Sequence, residues 1–94
     1  MSYFVYMLAS QRNGTIYVGI TGNPGRRIGE HREKVVSGFT SRYGVNILVW
    51  YEIHEDVKIA IAREKQIKGW NRAWKIRLIE KENSGWNDLA PGLV

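Results

Sequence analysis

A carboxylate stands where an apolar side chain is expected. At about 100° of helical turn per residue, Val57, Ala60, Ile61 and Ile67 share one stripe, and Glu64 falls in the middle of it. A charge on a core-facing helix side needs an ion pair, hydrogen bonds or a bound cation. The arginines of this chain offer a buried salt bridge. The competing reading is a single carboxylate ligand for Mg2+ or Mn2+, which suits phosphate chemistry because magnesium leaves its other positions to water and phosphate oxygens. Arg27 and His31 form a second anomaly. They sit at i, i+4 on a helix whose apolar face carries Ile28 and Val35, so a permanent cation and a titratable imidazole point to one neighbourhood. The structural alternative for His31 is a satisfied core histidine.

Tyr6 and Tyr17 occupy two strand-like runs, where close pairing brings two phenols onto one face. Core aromatics are the plain alternative. A phenol acts as a general base only if its pKa falls well below the ordinary value of about 10, which nearby cations such as Arg27 promote. Gly19 inside the second run weakens pairing and permits a bulge or a close backbone approach, a gap that a phosphate-sized ligand can use.

The elements that must position these residues are legible. Residues 3–8 and 15–20 are aromatic and β-branched runs separated by Ser10-Gln11-Arg12-Asn13-Gly14, which predicts a β-hairpin. Asn23-Pro24 is an N-cap followed by proline at the first helical position, predicting a helix near residues 24–36 that stops at Gly38. Residues 45–53 read as a third strand. Asp56 caps a helix ending at Gly69, and Asn71 caps a last helix ending near Asn83-Ser84-Gly85. The order is ββαβαα, an α+β arrangement. Pro91-Gly92 argues against regular structure in the tail after Trp86.

Composition bounds the rest. The 94 residues are 44% apolar and 12% aromatic, enough for one compact core, so the expectation is one domain over 1–94 with its core at about 3–83. No apolar run approaches the roughly 20 residues needed to cross a bilayer. The N-terminus lacks the basic start of a secretion signal. The absence of cysteine excludes disulfide scaffolds, thiolate zinc sites and cysteine nucleophiles, and a reducing cytoplasm is the expected home. The net charge of +5 is concentrated: residues 63–77 hold six basic side chains against the single acid Glu64. Such a patch favours polyanions through phosphate contacts and counterion release, against the alternative of a solvated helix face. Trp70 and Trp74 lie inside it at i, i+4, where they either stack unpaired bases or, for Trp74 with Leu78, form the apolar face of the last helix.

Taken together these residues resemble the GIY-YIG nuclease superfamily, in the form of its small stand-alone bacterial members. Phe4-Val5-Tyr6 stands where GIY is expected and Tyr17-Val18-Gly19 where YIG is expected. Arg27 and His31 follow on the first helix, and Glu64 comes within Ala62-Arg63-Glu64-Lys65-Gln66-Ile67-Lys68-Gly69-Trp70. Phe39-Thr40 and Trp86-Asn87-Asp88-Leu89 extend the likeness over nearly the whole chain. Phe4 and Val5 depart from the first motif, which is kept only at Tyr6.

The resemblance implies a small three-stranded antiparallel sheet flanked by helices, and hydrolysis of DNA phosphodiester bonds with one divalent ion, Mg2+ or Mn2+. It implies Tyr17 as general base, Tyr6 as its partner phenol, Arg27 on the scissile phosphate, His31 as a hydrogen-bonding or proton-relay group, Glu64 as metal ligand, and Asn83 as a late site residue. With no separate DNA-binding domain in this chain, Arg63, Lys65, Lys68, Trp70, Arg72 and Lys75 are the expected nucleic-acid contacts. Binding should then be structure-selective, in DNA repair or processing, with a protein partner as one source of specificity. The rival is a nucleic-acid-binding module of the same fold with little catalysis, or one needing a partner subunit. The nuclease reading requires these side chains to converge, and it fails if Glu64 is locked in an ion pair on the far side of the sheet from Tyr17.

Overall fold

The computed structural model describes residues 2–32 and 44–92, with the backbone alone for His31 and Arg32. Three strands, β1 (Tyr3–Ala9), β2 (Ile16–Thr21) and β3 (Ile47–His54), form one antiparallel sheet in the order β2-β1-β3. The helices are α1 (Pro24–Arg32), α2 (Val57–Gly69) and α3 (Arg72–Glu82), with a 3-10 turn at Ala90–Gly92. The α+β class and the ββαβαα order are those expected. The predicted end of the first helix, at residues 33–38, and Phe39-Thr40 lie outside the described residues. Among the described residues no helix is long and apolar enough to cross a membrane.

β1 is the central strand, covered on both faces, which is why its sequence is continuously apolar rather than alternating. Val5, Met7 and Ala9 face one core, with Val49, Trp50, Ala60, Ile67 and Ile79. Tyr6 and Leu8 face the other, with Ile28, Val45, Leu48 and Ala90. A register shift opposite Met7 and Leu8 lets both Val49 and Trp50 enter the first core while Leu48 and Tyr51 stay on the second. Each fully buried aliphatic side chain contributes about 1.5–3 kcal/mol relative to exposure.

The hairpin is closed over a longer loop than a two-residue turn. Ser10 N donates to Thr15 O at 3.0 Å, Gly14 N to Gln11 O at 2.9 Å, and Asn13 takes a φ of 58°, which asparagine tolerates. Helix starts follow the expected caps: Asn23 Oδ1 accepts from Arg26 N at 3.1 Å, Asp56 Oδ1 from Lys58 N at 2.8 Å, and Asn71 Oδ1 from Trp74 N at 2.9 Å.

Two details differ from the sequence expectation. On α2 only Ala60 and Ile67 are buried, whereas Val57 and Ile61 are exposed, so the buried stripe is narrower than the periodicity suggests. The tail is also part of the core, since Trp86 and Ala90 are buried, and Ala90–Gly92 forms a short 3-10 turn where Pro91-Gly92 pointed to irregular backbone. Leu89 N donates to Leu48 O at 2.8 Å, Leu48 N donates to Asp88 Oδ1 at 3.3 Å, and these bonds dock the tail beside β3.

Candidate active site

The register of β1 against β2 pairs Tyr6 with Gly19 and Leu8 with Tyr17. Partners in a pleated ladder point the same way, so both phenols lie on one face, their ring centroids 6.3 Å apart at 44°. Gly19 makes room for this. A Cβ there would sit 2.5 Å from Tyr6 Oη, 2.6 Å from Tyr6 Cζ and 2.9 Å from Tyr17 Cε2, so the Tyr6 phenol lies across a backbone that only glycine can supply.

The Tyr6 side chain is 3% exposed. Burial pushes its pKa well above the ordinary phenol value, the neighbouring Tyr17 adds to this, the Arg27 guanidinium opposes it, and the Glu64 and Glu30 carboxylates raise it further. The hydroxyl therefore stays protonated through the neutral range. Groups from β2, α1 and α2 thus act electrostatically on one hydroxyl of β1.

α1 seats Ile28 in the core beside Tyr6 and Leu8, which brings Arg27 to the same end of the sheet with its side chain 38% exposed. Its Nε lies 3.8 Å from Glu30 Oε1, an oxygen without solvent contact and without a hydrogen-bond partner among the described residues. Glu30 lies two residues after Ile28, off the apolar face of α1, so helical spacing alone gives no sign that one of its oxygens is buried. The side chain of His31 lies outside the described residues.

Glu64, in the middle of α2, is 13% exposed and its Oε2 is 2.9 Å from Lys68 Nζ. It is ion-paired, then, but its charge acts on Tyr6, and Lys68 lines a cleft of about 290 Å³ with Ile16, Tyr17, Val18 and Lys75. α2 itself packs against β1 and β2. Among the described residues no group of three or more His, Cys, Asp or Glu side chains is arranged around a metal position. Glu64 is one mostly buried carboxylate on a helix whose Ala60 and Ile67 pack on the sheet face opposite the phenols, and only its charge reaches the Tyr6 hydroxyl. A single hard donor is too little for a closed cage and fits at most an ion such as Mg2+, which keeps water and takes phosphate oxygens.

The expected nucleic-acid contacts divide. Lys68 and Lys75 share the Tyr17 cleft, and Lys65 is exposed. Arg63 is engaged within the protein, its Nε 3.0 Å from Glu52 Oε1 and one Nη 2.9 Å from Gln66 Oε1, with its guanidinium 5.4 Å above the Trp70 ring. Arg72 donates to Asn13 O at 2.5 Å and Gly14 O at 2.7 Å, clamping the hairpin loop. Trp70 is half-buried against the core. Asn83 is buried: its amide donates to Val49 O at 3.0 Å and Asn87 O at 2.8 Å, and its oxygen accepts from Asn87 N at 3.0 Å, tying α3 to β3 and the tail.

A small antiparallel sheet with paired phenols over a glycine, an arginine on the first helix and a carboxylate on the second defines a class. Residues 2–77 match the GIY-YIG catalytic domain, and the chain belongs to that family, a family of endonucleases. It is similar to a UPF0213 protein of Staphylococcus aureus (strain Mu3), 30% identical over 80 residues that cover 85% of this chain and 96% of the relative. The solution NMR structure of UPF0213 protein BH0048 from Bacillus halodurans is similar with a TM-score of 0.59 and 25% identity, over 94% of this chain and 93% of the other.

Proposed function

We propose that this domain is a divalent-metal-dependent endonuclease that hydrolyses phosphodiester bonds in DNA, selecting structure rather than sequence, in DNA repair or processing in the cytoplasm. The observation that carries the reading is the pair of phenols, Tyr6 and Tyr17, brought onto one sheet face over Gly19 with ring centroids 6.3 Å apart, at the end of the sheet where α1 places Arg27. Arg27 holds the scissile phosphate, because a planar, permanently charged fork matches phosphate oxygens and the charge that develops on them. Tyr17 removes the proton of the attacking water. Tyr6, kept protonated by burial, donates a hydrogen bond that orients the water or its partner phenol. His31 relays the proton or fixes the water. Lys68 and Lys75 hold the backbone of the strand beside Tyr17. Glu64 would hold one Mg2+ or Mn2+, which when bound neutralises charge on the leaving oxygen.

The test is nicking of a panel of forks, flaps, hairpins and single strands with Mg2+ or Mn2+. Cleavage that vanishes in both Glu64→Ala and Tyr17→Phe is expected. A second reading has its own observation: the 2.9 Å Glu64–Lys68 pair already gives that carboxylate a cation. It describes a binding module of the same fold with little catalysis, or one that needs a partner subunit. Salt-sensitive DNA binding without cleavage, indifferent to both substitutions, would establish it instead.

A further inference from the structure

Trp74, Arg77, Leu78 and Lys81 follow one another at helical spacing along α3, and with Trp70 they line a cleft of about 240 Å³. The two indoles meet edge to face, centroids 5.9 Å apart at 79°. Trp74 is 50% exposed, which favours the stacking alternative of the sequence over an apolar helix face shared with Leu78. The Trp70 wall is held in place by Arg63, whose guanidinium lies 5.4 Å above the ring and is itself bonded to Glu52 and Gln66. Both charged residues of the cleft are cations. Glu80, which lies between them in sequence, is directed to Trp86 Nε1 at 2.7 Å.

From this we infer that the cleft is a binding site for an unpaired nucleobase of single-stranded DNA, stacked on Trp74, with Arg77 and Lys81 on the phosphates to either side. An exposed indole gives any base a flat apolar partner, and a rim of cations without a carboxylate suits the charged backbone that carries the base. None of these residues lines the Tyr17 cleft, yet α3 serves both, through Lys75 in one and Trp74 in the other. A strand engaged at both clefts needs an unpaired stretch, which gives the domain a structural basis for choosing branched or frayed DNA. The inference rests on the nucleic-acid half of the proposed function and not on hydrolysis.

The test uses Glu64→Gln protein in EDTA and a fluorescein-labelled short oligothymidylate, read by anisotropy, with the same backbone lacking its bases as control. The base-bearing strand should bind about tenfold more tightly than the abasic one, and Trp74→Ala should remove that difference while leaving abasic binding unchanged. Trp74→Phe should keep most of it. Thermal unfolding of each variant checks that the fold is intact. Equal binding of both strands by Trp74→Ala and the parent protein would overturn the inference, as would a dimer in sedimentation that Trp74→Ala dissociates. Base-dependent binding by a protein that cleaves nothing in Mg2+ would keep the cleft and remove the hydrolytic reading.

Discussion

The two phenols are not equivalent, and the difference assigns their chemistry. Tyr6 is buried under Gly19 with two carboxylates acting on it, and its proton is held tightly. It is a donor in the proposed mechanism, leaving Tyr17 as the acceptor. Tyr17→Phe should lower the cleavage rate by about 10²–10⁴, the usual range for a lost general base, in single-turnover assays at saturating metal. The same burial has a consequence for stability. An unfolded phenol ionises near pH 10, whereas folded Tyr6 keeps its proton to higher pH, so above that point the unfolded chain binds fewer protons. The contribution is fully present below about pH 10 and is lost as pH rises toward the folded value. Guanidinium unfolding at neutral and alkaline pH should show a steeper alkaline loss in the parent than in Tyr6→Phe; equal losses would mean that the phenol is not protected.

At the scale of elements, the hairpin is the instrument that sets the phenols, and its tolerance is small. Gly19→Ala requires Tyr6 or β2 to move, because Cζ and Oη of a buried ring occupy the space a methyl would take. It should cost about 1–3 kcal/mol in chemical denaturation and displace the hydroxyl from Arg27 and Glu64, so activity should fall even at temperatures where the variant is folded. Helix placement is more forgiving. Asp56→Ala, which removes the acceptor for Lys58 N, should cost about 1 kcal/mol and lower the cleavage rate only as far as unfolding accounts for. A larger loss of activity in that variant would mean that the start of α2 sets the position of Glu64.

For the whole molecule, charge is partitioned between structure and binding. Arg63 and Arg72 hold the sheet edge and the hairpin loop, while Lys68 and Lys75 face the cleft beside Tyr17. DNA affinity measured against salt should therefore lose about one unit of log–log slope for each of Lys68→Ala and Lys75→Ala. Arg72→Ala should alter the slope little and reduce stability instead, through release of the two loop carbonyls it binds. A slope change for Arg72→Ala equal to that of the lysines would mean that the loop clamp opens toward DNA.

Periodicity, caps and turn residues determined the three strands and three helices seen among the described residues and their order, because these are local preferences of the backbone and of apolar patterning. The residues around the Tyr6 hydroxyl were legible as anomalies for a related reason: a charge on an apolar stripe or a glycine within a strand breaks a local rule. What lay beyond the sequence was decided by packing between distant segments. Whether Arg63 reaches DNA or Glu52, whether Asn83 serves a site or the backbone of β3, and whether Trp74 enters the core all depend on which partner comes within about 3–6 Å once the chain closes. The Glu64–Lys68 pair and the Arg27–Glu30 contact at 3.8 Å belong to the same class of fact. Spacing along a helix allows such contacts, but the sheet and the helices packed on it select which of them form.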